Sequence, residues 1–327
     1  MNANPKVSVC IPTYNYGRFL PEAIESVLDQ RYGNYELIII DDCSRDDSSA
    51  IIEKYSRLDG RIAYHINESN KGMVDNWNLC LQSARGDYIK FLFGDDVMSS
   101  ERLLEKMVAI FDSRRDIALV ASARNVIDEQ SRILKVLTGY KGEIGYRGHE
   151  IIQDCLLEQK NKIGEPSAVM FRREHACRGF DKRYRQIVDL EMWFHILEKG
   201  NFAYIEEPLC SFRIHSDQQT KINIEHVDPD SAESFWLIED YANKPYIHYS
   251  AVTREYMKYG PVYALWKLYK KGKIPRQTAL QNIKKHYTLK QFYLYYPFFR
   301  FFKFGKRIAD KSRAGSMMSS IPAGKPR

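Results

Sequence analysis

Over the first hundred residues, short apolar runs alternate with segments of helical periodicity. Residues 7–11 (VSVCI) form a buried-strand pattern that Pro12 is expected to stop. Leu20, Ile24, Val27 and Leu28 recur at helical spacing, and Pro21 suits a first helical turn. A second apolar run, 37–40 (LIII), predicts a strand, 49–58 a helix and 62–66 a weaker strand. Residues 74–84 predict a helix closed by Gly86, and 88–93 a fourth strand. This alternation predicts an α/β domain with a Rossmann-like, mostly parallel central sheet and flanking crossover helices.

The pattern loosens further along. Helices are expected over 101–111, 149–157 and 188–199, and strands over 117–121, 202–205 and 209–214. Residues 125–145 read as a hairpin or irregular meander, and 163–171 as a polar turn feeding a strand. Beyond residue 223 the chain turns helical, over 235–241, 251–259, 262–271 and 278–286. Residues 292–307 (FYLYYPFFRFFKFGKR) interleave aromatics with Arg300, Lys303, Lys306 and Arg307. The stretch 314–327 has the composition of a disordered tail.

A chain of 327 residues is long enough for one large α/β domain with an appendage, or for two modest domains. Its 44% hydrophobic and 28% charged residues exclude a disordered protein. The formal charge of +7 is concentrated late. Between 254 and 313, only Glu255 and Asp310 oppose a long series of lysines and arginines. Such an extension suits an anionic surface, a membrane or a nucleic acid. The six cysteines stand singly, with no C-x-x-C pair, as free thiols do in a reducing compartment. No leader pattern and no apolar run of ~18 residues is present, so a cytoplasmic protein is expected.

Polar residues follow three of the expected strands: Pro12–Asn15, Asp41-Asp42 and Asp95-Asp96. In an open α/β sheet these strand ends share the carboxyl edge, where ligands bind. Two adjacent carboxylates favour a positive partner, and a divalent cation carrying a nucleotide diphosphate is one. A solvated turn is the alternative for Gly-Asp-Asp alone. Neither G-x-G-x-x-G nor a G-K-S/T phosphate loop occurs, which disfavours dinucleotide and P-loop sites. Asp189 and Glu191 open an expected helix, where acids suit the positive dipole end. Simple capping is the competing role for Asp189.

Three stretches together resemble the inverting family 2 glycosyltransferases of GT-A fold, of the bacterial cell-surface polysaccharide type. They are VSVCIPTYNYGRFLPEAIESVLDQRYGNYELIIIDDCSRDDS, NKGMVDNWNLCLQSARGDYIKFLFGDDVM and VDLEMWFHILEKGNFAYIEEPLCSFRIH. The resemblance implies a nucleotide-sugar donor, usually a UDP-sugar, a divalent metal (Mn2+ or Mg2+) and a single inverting displacement. It implies a catalytic domain over 1–222, with a nucleotide-binding half to about 100 and an acceptor half after it. A helical extension (223–313) and the tail (314–327) follow. Position by position, Pro12, Thr13, Tyr14 and Asn15 would line the uracil and ribose pocket. Asp42, with Asp41 beside it, would accept from the uracil ring, and Lys71, Gly72 and Asn76 would border the nucleoside. Asp95 and Asp96 fall in the Asp-x-Asp region, with Phe93 where relatives often have an acid. Asp96 is the expected metal ligand and Asp95 a ribose or metal contact. Asp189 would be the general base. Val188 replaces an acid common before it, which is expected to leave Asp189 more readily ionised. Arg213 and His215 would balance the departing diphosphate by charge or metal ligation. Glu165, Ser167, Glu191 and Trp193 are assigned to the acceptor side, Trp193 reading also as core.

The implied acceptor is a glycan or lipid-linked hydroxyl. For the basic-aromatic segment 292–307, an anionic membrane surface is preferred, protein packing is the plain alternative, and nucleic acid is disfavoured because no nucleic-acid motif accompanies it. An oligomer is left open. A non-catalytic nucleotide-sugar or glycan-binding protein on the same fold is the alternative function. A nucleotidyltransferase would require a Gly-rich phosphate loop that Pro12–Gly17 does not supply.

Overall fold

The computed structural model describes residues 4–141, 144–216, 218 and 233–301. The chain forms two compact units, Met1–Val227 and Asp228–Arg327. The expected boundary at 222/223 and the tail 314–327 lie outside the described residues.

The first unit opens as the pattern predicts: β1 (Val7–Thr13), α1 (Leu20–Leu28), β2 (Tyr35–Asp41), α2 (Ser48–Leu58), β3 (Ile62–Ile66), α3 (Met73–Ser83) and β4 (Tyr88–Phe91). These four strands are parallel in the order β3-β2-β1-β4. The first strand runs through Pro12 instead of stopping there. Pairing to β4 ends at Cys10, so the missing Pro12 N–H falls where no β4 partner lies opposite. The register sets Thr13 against Asp41, which brings the ends of β1 and β2 to one edge.

α4 (Leu103–Ser113) leads to β5 (Ile117–Ile127), buried along its whole length. The expected meander resolves into β6 (Ile133–Leu137), antiparallel to β5, and β7 (Ile144–Tyr146), antiparallel to β9. α5 (Gly148–Glu158), a 3-10 turn (Pro166–Ala168), β8 (Val169–Arg172) and α6 (Val188–Leu197) follow. The two expected late strands are one, β9 (Asn201–Arg213), parallel to β5 with register shifts. Strand β8 inserts antiparallel between β4 and β5. Hydrophobic alternation could not reveal this insertion, since strands buried on both faces look alike. The core packs α1 residues Leu20, Ala23, Ile24 and Val27 with the inner positions of β1, β2 and α4. All six cysteines are free.

The second unit contains α7 (Glu233–Ala242), α8 (Ala251–Lys270), α9 (Arg276–His286) and α10 (289–301). Two expected helices merge in α8, which carries Pro261 inside it. Tyr259, Val262 and Trp266 flank that proline and bury into one cluster with Ile283, Phe292 and Phe299. This burial offsets the hydrogen bond a helical proline removes.

Candidate active site

The ends of β1 and β2 form a tightly bonded edge. Asp41 accepts from the Ser44 amide (2.9 Å) and hydroxyl, and burial pushes its carboxyl up. Asp42 Oδ1 accepts from Asn67 Nδ2 (2.9 Å) and the Lys71 amide (2.8 Å), and Oδ2 from the Gly72 amide (2.8 Å). Asn76 ties Asn67 to the Ile40 carbonyl. Asn15 stands at φ 56° between Ser44 and Arg45, and Tyr14 is exposed beside it. The structure thus gathers the expected nucleoside residues. It places Asp42 and Asn76 in the scaffold that shapes the 67–76 loop, with Tyr14, Asn15 and Lys71 nearer solvent.

Thr13 links this edge to the acidic pair. Its carbonyl accepts from the Asp42 amide (2.9 Å), and Gly94 packs so closely that a Cβ there would sit 2.8 Å from Thr13 Oγ1. Thr13 Oγ1 is buried without a hydrogen-bond partner among the described residues. Phe93, where relatives often carry an acid, is half-buried and packs tilted against Trp77, with ring centroids 4.8 Å apart; Trp77 in turn meets Phe180 edge-on.

Asp95 and Asp96 diverge. Asp96 is buried: Oδ1 accepts from the Arg213 amide (2.9 Å) and Oδ2 from Ser167 Oγ (2.5 Å). Burial and the Asp95 charge push its carboxyl well up. Asp95 Oδ2 lies 3.0 Å from His215 Nε2. Asp95 Oδ1 takes no hydrogen bond among the described residues. Two adjacent ligands of an octahedral cation with ~2.1 Å bonds have about this spacing. Among the described residues no group of three or more His, Cys, Asp and Glu is arranged for a metal. The chemistry of the pair therefore fits a cation whose remaining ligands come from phosphate and water.

Arg213 is fully buried and engaged. Nε donates to the Asp95 carbonyl (2.7 Å), Nη1 to the Asp128 carbonyl (3.0 Å) and Ser131 Oγ (2.9 Å), and Nη2 to Glu22 (2.6 Å). It clamps the β5–β6 turn to α1, and its guanidinium has no face left for a diphosphate. Arg213→Met should therefore destabilise the protein by ~3–5 kcal/mol, because two carbonyls and a carboxylate lose their partner. Urea unfolding reads this directly, and a loss below ~1 kcal/mol would contradict the clamp.

Asp189, at the start of α6, is partly buried. Asn161 Nδ2 bridges Asp189 Oδ2 (2.9 Å) and the Gly164 carbonyl (3.1 Å). Burial pushes the Asp189 carboxyl up to about 7, the Leu190 amide and Asn161 pull against it, and Glu165 adds to the rise. The expected easier ionisation is thus overturned: losing the neighbouring acid at Val188 counts for less than losing water. Gly164 (φ 137°) suits its turn because an added Cβ would also lie 3.1 Å from the Ala168 Cβ.

The acceptor-side residues separate. Glu165 pairs with Arg124 at the turn, and Ser167 is the partner of Asp96. Glu191 is buried in a two-pronged pair with Arg178, and Trp193 is fully buried, donating to the Gly164 carbonyl (3.0 Å). Both therefore support the site from behind. Turn 161–167 is the hub: Asn161 holds Asp189 and Ser167 holds Asp96. Sequence reasoning missed Asn161, Arg124, Arg18 and Lys90. Lys90 is wholly buried, donates to the Ser167 (2.5 Å) and Phe91 (2.7 Å) carbonyls, and is pushed down to about 8 by burial. A lysine inside an apolar strand run was its one visible signal.

The family described as Glycosyl transferase family 2 matches residues 8–179. The chain is 34% identical over 226 residues to the putative glycosyltransferase EpsE of Bacillus subtilis strain 168, covering 66% of this chain and 76% of that one. It is 31% identical over 214 residues to the putative teichuronic acid biosynthesis glycosyltransferase TuaG of the same organism, covering 65% and 81%. Among solved structures, S. aureus TarS 1–349 in complex with UDP-GlcNAc superposes with a TM-score of 0.63 at 16% identity, covering 77% of this chain and 70% of that one. The mannosyltransferase PcManGT of Pyrobaculum calidifontis, in complex with GDP-Man and Mn2+, superposes with a TM-score of 0.54 at 14% identity, covering 94% and 81%. The structural likenesses speak to the GT-A fold alone.

Proposed function

The chain belongs to glycosyl transferase family 2, and on that premise we propose that it moves a sugar from a UDP-sugar to a hydroxyl of a glycan or lipid-linked acceptor, inverting the anomeric carbon. The observation that carries this reading is turn 161–167, which ties the carboxylate of Asp189 to the acidic edge at Asp95–Asp96. Asp189 takes the proton of the attacking hydroxyl, the new glycosidic C–O bond forms, and the bond to the diphosphate breaks. A carboxyl held near 7 is matched to that task at neutral pH. Asp95 and His215 are the residues to hold Mn2+ or Mg2+, in preference to Asp96. The bound cation supplies neutralisation of the charge that grows on the departing diphosphate. Tyr14, Asn15 and Lys71 face the nucleoside.

The TarS structure is a complex with UDP-GlcNAc and the PcManGT structure a complex with GDP-Man and Mn2+, which supports a metal-assisted nucleotide-sugar donor. A thermal-shift series tests the reading. UDP-sugars should raise the Tm only with Mn2+ present, since a ligand stabilises by its affinity for the native state. No stabilisation by any nucleoside diphosphate would reject it. Binding without donor hydrolysis or transfer would favour the non-catalytic alternative.

The second unit supports attachment to the cytoplasmic membrane face. Helix α10 exposes Tyr293, Leu294, Phe298 and Phe301 among Lys290 and Arg300. Residues 302–307 of the expected anchor lie outside the described residues. Among the described residues no helix is long and apolar enough to cross a membrane. Replacing Tyr293, Phe298 and Phe301 together by serine should cut sedimentation with phosphatidylglycerol vesicles at least ~10-fold. Unchanged sedimentation would remove α10 as the anchor.

A further inference from the structure

We propose that the Arg18–His215 contact and a divalent cation on the Asp95–His215 pair exclude one another, and that Arg18 passes to the donor's diphosphate when the cation enters. This rests on the reading of Asp95 and His215 as the cation-holding pair.

The His215 side chain has no exposure. Tyr16 meets its ring edge-on at 5.6 Å, and Phe19 packs at 5.0 Å. Nε2 faces Asp95 Oδ2 at 3.0 Å, and Nδ1 faces Arg18 Nη2 at 3.4 Å. A guanidinium can only donate, so the ring nitrogen facing it is the acceptor. The ring proton is therefore on Nε2, directed at the Asp95 carboxylate.

Holding a cation requires the opposite arrangement. The lone pair must be on Nε2, so in the neutral ring the proton must be on Nδ1. One proton leaves Nε2 and one joins Nδ1, with no net change. Nδ1–H would then face an Arg18 N–H, and two donors cannot share that contact. The Arg18–His215 contact and a cation on His215 exclude one another.

Arg18 is the solvent-facing part of this cover. Its side chain is 48% exposed, lies over the Phe19 ring at 4.4 Å and reaches Glu129 at 3.8 Å. Arg213, which also lies over the Phe19 ring, is locked by four acceptors. A displaced arginine beside a cation site is suited to forked contacts with phosphate oxygens. The guanidinium expected at the diphosphate is then supplied by Arg18, not Arg213.

The test compares wild type with Arg18→Met, measuring Mn2+ alone by electron paramagnetic resonance and UDP in the presence of Mn2+ by calorimetry. Removing the cover should tighten Mn2+ binding roughly 3- to 10-fold. Removing the phosphate partner should weaken UDP binding ~10-fold or more. Mn2+ affinity that stays level or falls overturns the mutual exclusion, and unchanged UDP affinity overturns the diphosphate role. Imidazole 15N spectra of the metal-free wild type provide a readout independent of any variant's folding. The Nε2–H form of His215 is expected, and the Nδ1–H form would overturn the proposal. His215→Ala separates the premise: if Mn2+ still binds that variant normally, the cation site is elsewhere and the underlying reading fails.

Discussion

Asp189→Asn should lower sugar transfer by about 10³-fold or more while UDP–Mn2+ affinity stays within a few-fold of wild type. The amide has the shape of the carboxyl and can still accept from Asn161 Nδ2 at the position of Oδ2. It cannot take a proton. Turnover by the variant within ~10-fold of wild type would remove Asp189 as the base. The wild-type rate has its own signature. A base titrating at about 7 requires kcat/KM to fall about tenfold per pH unit well below 7 and to level off above it. A rate flat from pH 5 to 8 would contradict the raised carboxyl.

The same substitution carries a stability consequence of opposite sign. The folded-state carboxyl titrates above its unfolded value of ~3.9, so the native protein binds the proton more tightly than the unfolded chain. That contribution is complete below ~pH 4 and is lost as pH rises through 7. Above 7 the ionised carboxylate strains the fold, and Asn does not. Asp189→Asn should therefore raise the Tm at pH 8 by roughly 5 °C, with the gain fading towards pH 4. An enzyme that is less active and more stable is expected where burial serves catalysis.

Asp95→Asn and Asp96→Asn should differ sharply, which tests the assignment inside the acidic pair. Asp95→Asn is expected to weaken Mn2+-dependent UDP binding on the order of 10²-fold, because a neutral amide oxygen replaces an anionic ligand facing His215. Asp96→Asn should leave that affinity within a few-fold. Asn Oδ1 can accept from the Arg213 amide, and Nδ2 can donate to Ser167 Oγ. The Asp96 carboxyl is already driven toward its neutral form by burial. Calorimetry with UDP and Mn2+ reads both, and the reverse ranking would return the metal to Asp96.

Much of the fold was legible because it is written in local pattern. The apolar runs ending at Asp41 and before Asp95, separated by helical periodicity, predicted four parallel strands and one functional edge. Strand β8 was not legible as an antiparallel insertion, since partner choice is a long-range matter. Nor was the fusion of 202–205 with 209–214 into β9, where register shifts against β5 absorb Glu206 and Glu207 without breaking the strand.

The site divides in the same way. Sequence alone determined which chemistry is present: Asp41-Asp42, Asp95-Asp96, Asp189 and His215, in an order that marks the family. Tertiary structure decided which of those groups is available. Asp42, Asp96 and Arg213 are saturated by partners 25 to 191 positions away, which leaves Asp95, His215 and Asp189 as the groups proposed for reaction. The physical reason is that a residue's type fixes what it can donate, accept or ionise. Its burial and its hydrogen-bond partners fix whether that capacity is already used, and distant parts of the chain set both.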